Sequence, residues 1–335
     1  MAEPVSRAAK AKNGCLGLCF TVPLWLFALL ASVWALSAIW NFPGFLNFQQ
    51  QLTTAAAALS IAVVLLLFRG VSRPLVLIGL AMTLVTPVFL IEPRSDRFWT
   101  PAHGRQASAT FDGSLVTIHN LRDWPNENPW IDRSYDLSDV VGVDYVIKPF
   151  AKFRGLAHTF VTFRFGGGTN LSVSVEARRE VDEEYDPVRG LYRNFELLYV
   201  VGTEKDLIGS RLKDDKPIYI IPILASAEQA QLMLRSMLVR ANRLGAAPEF
   251  YDTLFENCTT SVIRHANLLR RQKISLTDWR VVLPGFADDA AFELRLIDFD
   301  GSLAEARRRF RVAGPVDMSP REPAWSAAIR GLPEP

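Results

Sequence analysis

The sequence predicts an α+β protein in which a bundle of three transmembrane helices precedes a domain built on an antiparallel sheet. No Asp, Glu, Lys or Arg occurs from Asn13 to Phe68, and none occurs from Pro74 to Ile91. After residue 110, short segments with alternating polarity are followed by segments with helical spacing. We therefore divide the chain into a membrane anchor at 1–94, an outer domain at 95–313 and an irregular tail at 314–335.

Composition excludes several classes of protein. The 335 residues are 49% hydrophobic and 21% charged and include only 3 Cys, which excludes a disordered chain and a disulfide scaffold. Residues 1–94 carry six basic and two acidic side chains, and the remainder carries 31 and 33. The outer domain therefore has no basic excess, and we expect no nucleic-acid partner.

Three apolar segments are candidates for membrane spans, and crossing the hydrocarbon core takes about 20 apolar residues. Leu16–Trp40 is long enough alone, and Pro74–Ile91 is close to that length. Thr53–Phe68 is shorter, but it follows the uncharged, Phe-rich loop Asn41–Gln51 and can extend into it. A cleaved signal peptide is the competing interpretation of the first segment, which is longer than a typical signal core and is followed by two more.

Charges at the ends of these spans predict their orientation, because Lys and Arg favour the cytoplasmic side. Basic residues precede the first span and separate the second from the third, whereas the loop between the first two has none: Arg7, Lys10, Lys12, Arg69 and Arg73. We expect an N-terminus inside, three crossings and residues 95–335 outside.

The outer domain shows strand signals first and helix signals later. Residues 95–110 are polar and predict a tether. The predicted strands are Ser114–Ile118, Val140–Ile147, Leu156–Phe165, Leu171–Arg178, Leu197–Val201 and Ile218–Leu224. The predicted helices run from the Ser226/Gln229 capping box to Gly245, from Asn257–Cys258 to about Arg271, and over Asp288–Leu296.

Cys258 is the only cysteine beyond the anchor, so it has no disulfide partner in the outer domain. It stands where helical spacing begins, and Asn257 before it is a good N-cap. Unpaired N–H groups and the helix dipole lower the pKa of a thiol there and can bind an oxyanion. The alternative is a small buried cysteine that packs the start of a helix.

A catalytic thiol needs a base, and the chain has four histidines. His103 lies in the predicted tether and is expected to be solvated. His265 lies seven residues after Cys258, about 10 Å along the same helix, and is expected at the surface. His119 ends a strand and stays an uncertain candidate. His158 lies inside a strand and is the preferred base, with a hydrogen-bonded core histidine as the alternative.

The hairpin around Gly166–Gly168 suggests which group orients His158. Matching the apolar faces of its two strands requires paired residue numbers with an even sum. A sum of 334 pairs His158 with Glu176, and a sum of 332 would bring Ser174 opposite. Glu176 is the candidate, and a solvated face with a chance carboxylate is the alternative.

Several segments resemble one known family, named for the Lnb N-terminal periplasmic domain. The resemblance covers roughly residues 105–300, and its motifs are Leu156–Phe160, Val175–Glu180, Tyr251–Thr260 and Leu283–Asp288. That family is similar to permuted papain-like (NlpC/P60-type) proteins, in which the strands that bear the histidine precede the helix that bears the cysteine. The resemblance therefore implies a permuted papain-like fold for the outer domain.

The resemblance also implies roles for individual residues. Cys258 would be the nucleophile, His158 the base and Glu176 its support. Arg178 and Arg179 match a basic pair of the family, and we assign them to substrate binding together with Asn257. The named member of the family is a lipoprotein N-acyltransferase, so the expected substrates are a phospholipid and a bacterial lipoprotein, at the periplasmic side of the inner membrane.

Two other functions remain open from the sequence. One is a cysteine peptidase or amidase that acts on peptidoglycan or envelope peptides with the same residues. The other is a scaffold without catalytic activity. The sequence has no phosphate-binding loop, no zinc-spaced Cys/His set and no dinucleotide fingerprint, so we expect no metal and no cofactor.

Overall fold

The chain forms ten α-helices and eight β-strands in the residues that the computed structural model describes, 6–44, 46–124, 128–312 and 316–332. The helices are α1 Ser6–Trp40, α2 Asn47–Leu67, α3 Ser72–Phe89, α4 Glu204–Leu207, α5 Ala227–Ala246, α6 Cys258–Leu268, α7 Trp279–Val282, α8 Ala287–Glu293, α9 Leu303–Arg309 and α10 Glu322–Ile329. The strands are β1 Ser108–Asp112, β2 Leu115–Arg122, β3 Trp130–Asp136, β4 Val140–Pro149, β5 Ala157–Phe165, β6 Leu171–Arg178, β7 Glu196–Thr203 and β8 Tyr219–Pro222. Internal contacts divide the chain into two units, Met1–Glu92 with Leu191–Asn194, and Pro93–Gly190 with Phe195–Pro335.

The first unit contains three helices that are long and apolar enough to cross a membrane, over Phe20–Trp40, Asn47–Leu67 and Ser72–Phe89. The second begins at Asn47, so it does extend into the preceding loop, as the sequence predicts. Small side chains make close packing between α1 and α3 possible, among them the buried Ala35, Ala38 and Ala81.

The second unit is organised around one eight-stranded sheet in the order β1-β2-β7-β6-β5-β4-β8, with β3 paired to β2. All pairs are antiparallel except β2 and β7, which meet in parallel at Arg122 and Gly202. The predicted α+β class with an antiparallel sheet is therefore confirmed.

Both faces of the central strands are buried, so a polar side chain on either face is not simply solvated. In β7, Leu197, Tyr199 and Val201 face the core under α5 and α6. Leu198 and Val200 face a second core that contains Trp325 of α10. The even-numbered face of β6 lies on this second side and is also largely buried, so it is not the solvated face of the alternative interpretation.

The β5–β6 hairpin has the register that was predicted from its apolar faces. Phe160 pairs with Ser174, and Phe163 pairs with Leu171, so paired residue numbers sum to 334. Continued toward the start of β5, the same register brings His158 opposite Glu176. The sheet thus places the candidate base and carboxylate side by side.

Two segments differ from the sequence prediction. The predicted tether is part of the folded unit, because His103 is buried and β1 begins at Ser108; β1 and β3 were both missed. The predicted irregular tail contains α10, whose Trp325 is fully buried, although residues 313–315, where the tail was predicted to start, lie outside the described residues. Pro323 stands in the first turn of α10, where proline is tolerated because the missing N–H has no partner there.

Candidate active site

Cys258 is the first residue of α6, as the sequence predicts. Asn257 is extended and acts as the N-cap, and its Oδ1 accepts hydrogen bonds from the N–H groups of Thr259 and Thr260 at 2.9 Å each. The Asn257 side chain is fixed in turn by donating to the Thr253 carbonyl at 2.7 Å. The thiol is therefore held at a rigid helix start, and it is 4% exposed.

The cap leaves one backbone donor of the first turn available. Asn257 occupies the N–H groups of Thr259 and Thr260, whereas the N–H of Cys258 has no hydrogen-bond partner among the described residues. A free N–H beside a nucleophile, at the positive end of a helix, is suited to an oxyanion. The local sequence thus supplies both the nucleophile and a donor for the charge that its attack creates.

His158 lies between the thiol and two polar groups of β6. Its Nε2 is 2.7 Å from Ser174 Oγ and 3.1 Å from Glu176 Oε1, and Ser174 Oγ donates to the same carboxylate oxygen at 2.6 Å. Because an ionised carboxylate only accepts, Nε2 carries the proton. Nδ1 is then the nitrogen left to interact with the Cys258 thiol, which contributes to the raised pKa of His158. Both candidates for orienting His158, Glu176 and Ser174, contact it.

Arg211 completes the group, and sequence reasoning missed it. Its Nη2 donates to Glu176 Oε1 at 2.6 Å, its Nη1 donates to the Leu207 carbonyl at 2.7 Å, and the guanidinium lies 5.1 Å from the centre of the Phe160 ring. Arg211 thereby fixes the carboxylate that fixes the imidazole. No local pattern marks it, because it lies in a short turn after α4, 35 residues from Glu176.

The charges of these groups support one another. Burial opposes ionisation of Cys258, His158 and Glu176. The negative charge of Glu176 and the hydrogen bond to Cys258 nevertheless raise the pKa of His158 to about 9. The hydrogen bond and charge of His158 lower the pKa of the Cys258 thiol in spite of its burial. His158 and Arg211 overcome burial and hold the pKa of Glu176 well below its usual range. The pKa shifts of His158 and Cys258 both favour transfer of the proton from the thiol to the imidazole, and so favour a thiolate beside an imidazolium.

Glu176→Gln is expected to lower the pKa of His158 by roughly 1–3 units, because burial then opposes the imidazolium without a compensating carboxylate. Alkylation of Cys258 measured against pH should show a higher thiol pKa in this variant.

The free energy of unfolding of the wild type should contain a contribution from the charge of His158. This contribution is present below pH 6.5 and is lost as the pH rises through about 9.

The control for Glu176→Gln is Glu249→Gln, because Glu249 pairs with Arg240 at the surface. This control should leave the alkylation profile unchanged. An identical profile for Glu176→Gln and the wild type would show that the carboxylate does not act on His158.

The candidate catalytic residues lie beside a cavity of about 500 Å³. Cys258, His158 and Glu176 lie in its wall together with Arg179 and Arg211. Most of the remaining wall is apolar or aromatic: Phe150, Leu156, Ala157, Val175, Ala177, Tyr185, Pro187, Tyr251, Leu254, Val282, Leu283 and Pro284. A cavity of this kind suits a ligand with an apolar body and one polar reacting group.

Of the three residues predicted to bind substrate, two line the cavity and one does not. Asn257 and Arg179 line the cavity. Arg178 does not: it is buried, donates to the carbonyls of His103 and Gly104 at 3.0 and 3.4 Å, and its guanidinium lies 4.1 Å from the centre of the Trp99 ring. Arg178 thus holds the segment before β1 in place, and only Arg179 of this basic pair lines the cavity.

The other histidines lie outside the site, and two predictions about them are wrong. His103 is not solvated: it is 4% exposed, its Nδ1 accepts from the Arg179 N–H at 3.0 Å, and burial lowers its pKa to about 4. His265 is not at the surface: it lies between Tyr199 Oη at 3.0 Å and Ser236 Oγ at 2.8 Å. His119 is half-buried and pairs with Asp132 at 2.7 Å.

One comparison with known proteins identifies the family. Residues 126–285 match the family model described as the Lnb N-terminal periplasmic domain, and this range contains His158, Glu176, Arg211 and Cys258. No curated protein and no solved structure matches the chain. The relation to permuted papain-like proteins stays a prediction. Residues 126–285 therefore belong to the Lnb N-terminal periplasmic domain family, in a membrane-anchored protein.

Proposed function

We propose that this protein is a thiol acyltransferase of the bacterial inner membrane, which moves an acyl chain from a phospholipid to the amino terminus of a lipoprotein. The observation that carries the proposal is the position of Cys258, His158 and Glu176 in the wall of one mostly apolar cavity, with His158 Nε2 3.1 Å from Glu176 Oε1. Three membrane crossings with residues 95–335 in the periplasm follow from the distribution of Lys and Arg.

The first half-reaction loads the enzyme. The Cys258 thiolate attacks the ester carbonyl carbon, and a C–S bond forms as the ester C–O bond breaks. The His158 imidazolium gives its proton to the departing alkoxide, which leaves as a lysophospholipid. The Cys258 N–H stabilises the oxyanion of the tetrahedral intermediate.

The second half-reaction transfers the acyl chain from Cys258 to the lipoprotein. The amine of the lipoprotein attacks the thioester carbonyl, and neutral His158 takes a proton from the nitrogen. The C–S bond breaks, and the thiolate returns beside an imidazolium. Glu176, with Ser174 and Arg211, keeps the His158 ring in one orientation through both halves.

The cavity wall favours an acyl chain over a stem peptide. Twelve lining residues are apolar or aromatic, and the polar lining residues include the catalytic groups themselves. A peptide would leave its amide groups against apolar walls without partners, which costs free energy for each unpaired group. Arg179, on the same wall, is placed to pair with the anionic phosphate of the donor.

Intact-mass analysis of the full-length protein with phospholipid tests the thioester. We expect the wild type to gain one acyl-sized mass increment that hydroxylamine removes, and Cys258→Ala to gain none. Cys15 and Cys19 remain in both forms, so they serve as internal controls for nonspecific acylation. Adding a peptide with a lipidated N-terminal cysteine should then transfer the increment to its amine.

Two results would overturn the proposal. An increment that persists in Cys258→Ala would assign the acylation to another residue. Cleavage of a peptidoglycan fragment by the wild type, without any acyl increment, would instead identify the hydrolase.

A further inference from the structure

Two loops form one side of the cavity described above. The first connects β4 to β5 over residues 150–156, and the second spans α7 and the turn after it, residues 279–286. Together they contribute Phe150, Leu156, Val282, Leu283 and Pro284 to the cavity wall. Whatever lies against the outer side of these loops therefore lies next to the cavity.

The two loops are held together by close backbone contact. The Gly285 N–H donates to the Gly155 carbonyl at 3.2 Å, and a Cβ at Gly285 would lie 1.7 Å from the Arg154 carbonyl oxygen, so only glycine fits there. Phe286 packs against Phe153 and Trp279, with ring centres 6.1 and 5.2 Å apart. The loops therefore present one continuous surface.

This surface exposes aromatic side chains, and we call Phe150, Phe153, Trp279 and Phe286 the aromatic rim. Phe153 is 54% exposed and Trp279 is 59% exposed. Leaving such large rings in water forgoes a favourable burial, and contiguous patches of this kind mark interaction sites.

Unpaired basic groups accompany the rim. Lys152 is exposed beside Phe153 and makes no ion pair among the described residues. Arg270, Arg271 and Lys273, in the connection that leads from α6 to Trp279, make none either within that part of the chain. The acids beside Trp279 and Phe286 are paired: Asp278 and Glu293 with Arg280, and Asp288 and Asp289 with Arg154 and Arg307. This side of the surface is therefore aromatic and carries basic groups without ion-pair partners.

We propose that the aromatic rim binds the surface of a phospholipid bilayer that contains anionic lipids. Phe153 and Trp279 would enter the interfacial region, and Lys152 would contact the headgroups. The inference rests on the proposed function in one respect: docking would bring the donor lipid to the cavity, so that its acyl chain enters without crossing water.

Charge and composition favour a bilayer as the occupant. Aromatic rings together with unpaired basic groups suit an interface that is apolar on one side and anionic on the other. The helices of this same chain supply that bilayer, because three of them are long and apolar enough to cross it. A second copy of the chain would bring the same positive charges together.

Spin labels on the full-length chain in liposomes test the docking. One label replaces Phe153 (Phe153→Cys), and the control label replaces Val141 (Val141→Cys), which is 51% exposed. Val141 lies near the far end of β4 from Phe150, about 30 Å away at roughly 3.3 Å per residue. Both carry Cys15→Ser, Cys19→Ser and Cys258→Ala, so each chain has one thiol and no catalytic activity is needed.

We expect oxygen to reach the label at 153 better than a water-soluble nickel complex does, and phosphatidylglycerol to increase this preference over phosphatidylcholine alone. The label at 141 should show the opposite accessibility in both lipids. A label at 153 that is freely accessible to nickel in both lipids would overturn the proposal. Spin–spin broadening at 153 that is independent of lipid composition would also overturn it, in favour of a second copy.

A second measurement separates this proposal from the proposed function. In Phe153→Ser with Trp279→Ser, the ratio of transfer from bilayer phospholipid to transfer from a water-soluble short-chain ester should fall about tenfold or more, the factor that burial of one apolar side chain supplies. An unchanged ratio would contradict docking. If the wild type transfers an acyl chain from neither donor, the proposed function is contradicted. The spin-label measurement would still test docking, because it does not depend on activity.

Discussion

His158→Gln is expected to slow thioester formation on Cys258 by roughly 10²–10⁴-fold, the range of general acid–base catalysis. Two effects combine in this variant. The leaving alkoxide loses its proton donor, and the buried thiol loses the positive charge that lowers its pKa. The rate of lysophospholipid release in a single turnover measures the first effect, and alkylation of the thiol against pH measures the second.

His119→Gln is the matched control, because His119 lies outside the cavity and its ring nitrogens contact Thr110 of β1 and Asp132 of β3. It should leave both measurements unchanged. If His158→Gln keeps the wild-type alkylation rate at pH 7, then the thiolate does not depend on the imidazolium and another group must supply the base.

Trp325→Ala is expected to cost about 3–5 kcal/mol of the free energy of unfolding of the outer domain, the usual loss for a large aromatic truncated in a core. Trp325 is fully buried and packs in the second core with Phe160 and Leu198. Pulse proteolysis of the full-length protein in urea measures the shift. A loss below about 0.5 kcal/mol, typical of a surface position, would contradict the docked helix.

Trp124→Ala provides the comparison for this prediction, because Trp124 is 40% exposed. It removes the same side chain from the edge of the domain and should cost much less than Trp325→Ala. Similar losses for the two variants would mean that proteolysis reports a general effect of removing tryptophan.

Local signals in the sequence predicted where several residues of the candidate site lie in the fold. Asn257 and Cys258 form a helix start because the N-cap preference depends only on neighbouring backbone groups. The alternation of β5 and β6 restricted the register of their hairpin, because a slip by one residue would turn every apolar side chain to the wrong face. His158 and Glu176 followed from that register.

The errors share a different cause, which is pairing between residues far apart in the sequence. His103 is held in the fold by a hydrogen bond that Arg178, 75 residues later, donates to its carbonyl. No local sequence pattern predicts that bond. His265 lies in a polar pocket formed by Tyr199 and Ser236 of other elements. Arg211 reaches Glu176 in the same way.

The tail was mispredicted for another reason. Its five prolines predict an irregular segment, although proline is also favoured in the first turn of a helix, where Pro323 stands. A short helix with such a start is easily overlooked, and only its packing reveals it: Trp325 fills the core, and Arg330 pairs with the buried Glu204 and with Asp144, the latter at 2.9 Å.

The position of α10 has a consequence for the biogenesis of the protein. Ribosomes make chains from the N-terminus, so the anchor and all eight strands exist before Trp325 is made. Until residues 322–329 arrive, Phe160, Leu198 and Val200 lack the cover that α10 gives them. A chain interrupted before Glu322 would therefore display an apolar sheet face, the kind of surface that proteases and chaperones recognise. Docking of this helix thus distinguishes chains that include it from chains interrupted before it.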